Sequence, residues 1–224
     1  MNLKNIFNEL DSWVSTMGNG DYMPSDMTMP LPDLQILPIF GIQQVRKELY
    51  ELCEVIIEQP WFSEEATALE IGLGQHGSTH FLWRNIFKKI TTVEKNHDRI
   101  NLFSYNTTKF YNKWVLGDNK SSFVIGSSHN PLSIEKVYNS CNQVDFLLID
   151  GDHSYKAALA DWLIYAPLVK NGGLVAFHDS ILVDEHGGVV RLLDELKSGK
   201  FGKKYNIKDI VHSVSVGTSY YIKE

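Results

Sequence analysis

Ala68-Leu69-Glu70-Ile71-Gly72-Leu73-Gly74-Gln75-His76-Gly77 is an apolar strand that ends in an acid and runs into a glycine-rich turn. Gly72, Gly74 and Gly77 satisfy G-x-G-x-x-G, a turn able to hold a nucleotide-like cofactor. A second stretch, Asp145-Phe146-Leu147-Leu148-Ile149-Asp150-Gly151-Asp152-His153, is another apolar strand, and it ends in acids and a histidine. Strand ends of an open α/β sheet present such groups at a cleft.

Outward from these two segments the chain alternates. Short apolar strands are predicted at 66–71, 90–94, 123–126, 144–149 and 173–177, with helical patterns at 79–88, 98–111, 131–140 and 155–168 between them. That alternation implies a parallel sheet covered on both faces. A helix at 189–197 follows, then strands at 207–213 and 218–222, which can pair as an antiparallel hairpin at the sheet edge. The expected fold is α/β: an open, mostly parallel seven-stranded sheet with helices on both faces.

Upstream, Leu3, Ile6, Phe7, Leu10, Trp13, Val14 and Met17 recur at helical spacing, and Gly18-Asn19-Gly20 stops the pattern. Residues 22–38 hold four of the seven prolines (Pro24, Pro30, Pro32, Pro38), a density that forbids a regular element. An extended apolar loop is expected there, either a strap over the core or a lid and pocket wall. Val45, Leu49, Leu52, Cys53, Ile56 and Ile57 mark a second helix, closed by Gln59-Pro60. The chain therefore divides into a helical and Pro/Met-rich cap, residues 1–60, and a catalytic domain, residues 61–224. The apolar N-terminal helix could also pack against a second subunit.

Composition narrows the class. At 43% hydrophobic and 21% charged, the 224 residues have the apolar mass for a real core. A net charge of −6 argues against a nucleic-acid partner, since neutralising phosphates needs a basic surface. Cys53 and Cys141 lie in no CxxC spacing and read as reduced structural thiols. No signal-peptide pattern is visible, and no apolar run approaches the ~20 residues of a bilayer span. A cytoplasmic location away from membranes is expected.

Glu70 gives the glycine turn its chemistry. A carboxylate two residues before the first glycine would repel the pyrophosphate of a dinucleotide, which weakens an NAD-type dehydrogenase reading. It favours instead a cofactor whose tail carries an ammonium or a sulfonium. Glu94, one strand–helix–strand unit later, suits a ribose, because a carboxylate accepts from both hydroxyls.

With E-x-G-x-G-x-x-G, an acid ending the second strand and D-x-x-x-I-D-G-D-H after the fourth, residues 64–224 resemble a class I S-adenosylmethionine-dependent methyltransferase. Residues 144–180 are similar to the catechol- and caffeoyl-type O-methyltransferases and the macrolide sugar O-methyltransferases. The resemblance implies that Glu70, Gly72, Gly74, Gly77 and Ser78 hold the methionine end of the cofactor, Glu94 its ribose, and Asp150 borders it. The adenine side falls to the segment after the third strand. Both Val115-Leu116-Gly117-Asp118 and Gly126-Ser127-Ser128 fit that description, and the second has the more usual gap to Asp150.

The second cluster then acquires roles. Methyl transfer is an in-line displacement that needs an aligned acceptor and removal of its proton. A hydroxyl acceptor benefits from a divalent cation, and oxygen-ligand cations want carboxylates from more than one strand end. The resemblance implies a metal on Asp150 and Asp179, with His178 beside them, and a general base at His153. Histidine favours manganese, iron or zinc over magnesium, so Mg or Mn remains an expectation. An imidazole titrates near neutral pH, which suits it to a base. Asp152 fits a cap of the following helix.

The expected activity is methyl transfer from S-adenosylmethionine to a hydroxyl of a small molecule. A metal-independent N-methyltransferase, or a non-catalytic cofactor-binding scaffold, keeps the same fold.

Overall fold

The computed structural model describes residues 1–17, 22–23, 44–111, 119–181, 183, 187–212 and 216–224. Helix α1 (Leu3–Met17) opens the chain, followed by two short strands, β1 (Tyr22–Met23) and β2 (Gln44–Val45), which pair in parallel. Most of the proline-rich 22–38 stretch, and Val115–Asp118, lie outside the described residues. Next come α2 (Arg46–Ile57), β3 (Thr67–Ile71), α3 (Ser78–Ile86), β4 (Lys89–Glu94), α4 (His97–Tyr111) and β5 (Ser121–Ile125). The second half runs α5 (Pro131–Ser140), β6 (Val144–Ile149), α6 (Tyr155–Tyr165), β7 (Val169–His178), α7 (Gly188–Ser198), β8 (Lys208–Ile210) and β9 (Thr218–Ile222).

Seven strands form one sheet in the order β5-β4-β3-β6-β7-β9-β8. β3 pairs in parallel with both β4 and β6, and β9 runs antiparallel between β7 and β8. The expected architecture is present, and the C-terminal pair inserts β9 next to β7. The chain leaves β3 toward β4 and β5, then crosses back to β6. This reversal places the topological switch, where such sheets bind ligands, between the ends of β3 and β6.

Two apolar layers flank the sheet. Alternation along β3 sends Ala68 to one layer with Phe81, Trp83 and Phe146, and sends Leu69 and Ile71 to the other with Leu147, Trp162 and Phe177. β6 is buried along its whole length, as a central parallel strand must be. β7 starts four residues earlier than its pattern suggests. A register shift between Val144 and Phe146 lets Asn171-Gly172-Gly173 pass through the strand as an irregularity.

The cap is continuous with this core. Phe7, Leu10 and Trp13 on α1 are fully buried, and Trp13 stacks on Phe81 at 4.8 Å and meets Phe103 at 6.0 Å. The apolar stripe of α1 is thus covered by the chain's own α3 and α4. α6 closes in a short 3-10 turn, Ala166–Leu168, which Pro167 favours by breaking the helical ladder. Cys53 and Cys141 are both buried and free. No helix among the described residues is long and apolar enough to cross a membrane.

Candidate cofactor and metal site at the strand ends

The glycine turn lies across the switch point. Gly72, Gly74 and Gly77 have φ of 95°, 71° and 77°, a region that costs glycine nothing and L-residues dearly. Gly72 is the tightest of them, since a Cβ there would stand 2.1 Å from the Asp150 carbonyl oxygen. The turn from β3 is therefore pressed against the end of β6, and both sequence segments meet at the same end of the sheet. Gly77 caps α3 in the left-handed conformation, and a Cβ on it would meet the Phe103 ring at 2.6 Å.

Glu94 ends β4 and is buried. Its Oε2 accepts from the Leu73 N–H at 3.0 Å, and its Oε1 accepts from the Asn96 N–H at 2.7 Å. These bonds pin the carboxylate beside the turn while each oxygen keeps a further lone pair. Glu70 lies under the turn with no exposure at all. Burial pushes its carboxyl up to about 8 and Asp150 adds to the rise, while the Thr92 hydroxyl, which donates to Oε2 at 2.6 Å, and the polar groups of Thr79 and Trp83 nearby oppose it. Glu70 Oε1 and the Ser78 hydroxyl are buried and have no hydrogen-bond partner among the described residues. Two orphaned polar atoms at one glycine turn are costly unless a ligand meets them, so the site fits a cofactor with polar groups at this end.

Gly126-Ser127-Ser128 sits at the end of β5, where the Gly126 N–H donates to the Glu94 carbonyl at 2.9 Å. The Tyr165 hydroxyl donates to the Ser128 carbonyl at 2.6 Å, which anchors the loop to α6. Beneath it lies Asp161, 1% exposed, with His129 Nε2 at 3.0 Å from its Oδ1. Burial raises the Asp161 carboxyl, and Ser128 and His129 pull it back. Asp161 escaped the sequence reading. Its signal is an acid inside the apolar run Ala157-Ala158-Leu159-Ala160-Asp161-Trp162.

At the ends of β6 and β7 four groups converge. His178 is 3% exposed, and its Nδ1 lies 3.0 Å from Asp150 Oδ1 and 3.2 Å from Asp179 Oδ2. Asp179 has φ of 56°, the sole positive value at a non-glycine position among the described residues. Such strain costs about 1–3 kcal/mol and persists where the surroundings demand it. It turns the Asp179 carboxylate toward His153, whose Nδ1 contacts Asp179 Oδ2. Ligand atoms of Asp150, His153 and Asp179 all lie within 4.8 Å of one another, a spacing that could hold a metal ion.

The charges of this cluster interlock. Burial pulls the His178 imidazole down, but Asp150 and Asp179 overcome it and push the group up to about 10. Asp179 is raised by burial, yet His178 and His153 carry it well below the usual carboxylate range. His153 is raised by its bond to Asp179, with burial opposing.

The neighbouring acids do other work. Ser154 rather than Asp152 caps α6, its hydroxyl accepting from the Ala157 N–H, while Asp152 accepts from the Ser154 N–H at 2.9 Å. Asp145 lies at the opposite end of β6, where it accepts from the Thr67 N–H and from Lys170 Nζ. It clamps strands and takes no part in the cleft.

Sheet order, glycine turn and acidic strand ends together define a Rossmann-like methyltransferase fold. A family model described as a methyltransferase domain matches residues 69–180, half of the chain. The chain belongs to that methyltransferase family. No curated protein sequence matches it significantly. Among solved structures, a Staphylococcus aureus protein provisionally assigned as a caffeoyl-CoA O-methyltransferase superposes with a TM-score of 0.60 at 17% identity, covering 88% of this chain and 93% of its own. MycE, a methyltransferase of the mycinamycin biosynthetic pathway solved with Mg and S-adenosylhomocysteine, gives 0.56 at 16% identity over 86% of this chain. The match spans 53% of MycE, so this chain corresponds to about half of that protein. An rRNA methylase from Streptococcus thermophilus gives 0.53 at 10% identity, over 80% of this chain and 98% of its own. At these identities the likeness shows the fold alone.

Proposed function

We propose that this protein transfers a methyl group from S-adenosylmethionine to a hydroxyl of a small molecule, assisted by a divalent cation. The observation that carries the reading is the meeting of Gly72 with Asp150, which sets the glycine turn and the acidic cluster on one cleft. S-adenosylmethionine, when bound, supplies the methyl group on a sulfonium leaving group. Gly72, Gly74 and Gly77 would cradle its methionine end, Glu70 and Ser78 would meet that end's polar groups, Glu94 would hold the ribose, and Ser127 and Ser128 would border the adenine.

Asp150 and Asp179 offer hard oxygen donors from adjacent strand ends, which suit magnesium or manganese. A cation there would lower the pKa of an acceptor hydroxyl and fix its direction. His178, with Nδ1 on both carboxylates, holds them in place from the protein side. His153 has a half-exposed side chain at the mouth and takes the acceptor's proton. A cation on Asp179 would compete for the oxygen that raises His153, leaving the imidazole free to act as base. Net charge of −6 supports a small-molecule acceptor over RNA.

The test is formation of S-adenosylhomocysteine from S-adenosylmethionine with a panel of sugar, phenol and polyketide hydroxyls. Turnover lost on chelation and restored by magnesium or manganese is the expected result. Turnover indifferent to chelator would remove the metal-assisted mechanism, and transfer to amines alone would replace the hydroxyl acceptor.

A further inference from the structure

Glu70 ends a hydrogen-bond chain that runs through the interior from β5 to the glycine turn. Arg84 Nε lies 3.2 Å from Ser121 Oγ, and Ser121 Oγ lies 3.0 Å from His80 Nε2. His80 Nδ1 is 2.7 Å from Thr92 Oγ1, which is 2.6 Å from Glu70 Oε2. All five side chains belong to buried residues. Glu70 apart, none was singled out by sequence spacing, because the five meet across four separate elements.

With Glu70 ionised, the sense of each bond follows. A guanidinium can only donate, so Ser121 accepts from Arg84. Thr92 has one proton and gives it to Glu70, so His80 Nδ1 must donate to Thr92. The His80 ring carries one proton only, because burial pulls it down to about 3 and Arg84 adds to the fall. Its Nε2 therefore accepts from the Ser121 hydroxyl. The ring cannot swing away, being stacked on Phe123 at 4.5 Å and edge-on to Phe103 at 5.0 Å. Every donor along the chain points from the Arg84 cation toward the Glu70 carboxyl, and bonds aligned this way polarise one another.

We propose that this relay makes Glu70 the anionic partner of the ammonium at the amino-acid end of the cofactor, so that Arg84, Ser121, His80 and Thr92 are positioning residues for cofactor recognition. The inference rests on the S-adenosylmethionine reading above. Glu70 Oε1, buried and without a hydrogen-bond partner among the described residues, is the atom left to meet that ammonium. In the free chain burial holds the carboxyl up to about 8 despite the Thr92 donor, and an ammonium at Oε1 would bring it down to its anionic form.

Two ligands that differ at this end separate recognition from mere structure. S-adenosylhomocysteine carries the ammonium, whereas 5′-methylthioadenosine lacks the whole amino-acid end. Both are titrated into the wild-type chain, His80→Phe and Ser121→Ala, with methylthioadenosine also followed by competition so that weak binding is read. Affinity for S-adenosylhomocysteine is expected to fall about tenfold or more in each variant, the worth of a hydrogen bond to a charged group, while methylthioadenosine holds its affinity. Ser121→Ala removes a single hydroxyl and decides the matter if His80→Phe does not fold. Equal weakening of both ligands, or of neither, overturns the relay. A wild-type chain that binds neither ligand overturns the cofactor reading, and the relay with it.

Discussion

His178 Nδ1 stands 3.0 Å from Asp150 Oδ1, so the end of β7 is tied to the end of β6 by a buried imidazole against a carboxylate. The same nitrogen also reaches Asp179. One donor therefore restrains two acids that would otherwise repel each other at the heart of the candidate metal site. His178→Asn is expected to destabilise the protein by about 3 kcal/mol, the cost of breaking a buried pair. Millimolar magnesium or manganese should then raise the variant's melting temperature more than the wild type's. Equal shifts in the two proteins would speak against a cation on these carboxylates.

In the proposed mechanism His153 moves a proton and does not bind the cofactor. His153→Gln should lower kcat by roughly 10²–10⁴-fold while the dissociation constant for S-adenosylhomocysteine stays unchanged. Initial rates with the acceptor identified in the panel, together with calorimetry, check both halves. A parallel loss of binding would make His153 a cofactor contact instead.

The glycines of the turn are not equivalent. Gly72→Ala drives a Cβ into the Asp150 backbone carbonyl, which cannot yield without moving β6. Gly77→Ala meets the Phe103 ring, a side chain with some freedom. Both pay the positive-φ penalty, so each should lose stability, and Gly72→Ala should lose at least about 3 kcal/mol and more than its partner. Chemical denaturation of the two variants gives the order directly.

Two buried groups under the turn shape stability against pH in opposite senses. His80 is depressed to about 3, so its contribution is present above 6.5 and lost as pH falls through that window. Glu70 is raised to about 8, so its contribution is present below 4.5 and lost as pH rises toward 8. The two offset each other between 4.5 and 6.5, and above 6.5 Glu70 acts together with His178 and His153, both raised, whose contributions are likewise lost as pH rises. There stability should fall with pH, and Glu70→Gln should make the slope shallower by at most about 1.4 kcal/mol per pH unit without abolishing it. Denaturant melts at pH 6.5, 7.2 and 8 (roughly spanning the Glu70 window) read it out.

Much of this molecule is legible along the chain. Period-2 and period-3.6 patterns mark each sheet strand and helix of residues 61–224, and the run Leu147-Leu148-Ile149 announces a central strand because only a doubly covered one is apolar throughout. The glycine turn and the Asp150–His153 cluster are local motifs and read locally. What escapes is contact between distant residues. His80 carries no spacing signal, since its partners Thr92 and Ser121 come from other strands. Asp161 hides in an apolar helix, and the part His178 plays becomes visible only when β6 and β7 stand side by side. The positive φ of Asp179 likewise leaves no trace in composition.

We propose one site between the ends of β3 and β6 that takes an adenosyl cofactor through Glu94 and the glycine turn. Calorimetric titration with S-adenosylhomocysteine and with NAD, on the wild-type chain and on Glu94→Ala, tests it most directly. One S-adenosylhomocysteine per chain, no NAD, and an affinity reduced about tenfold or more by Glu94→Ala is the expected result. Absence of S-adenosylhomocysteine binding, or binding that Glu94→Ala leaves untouched, would contradict it.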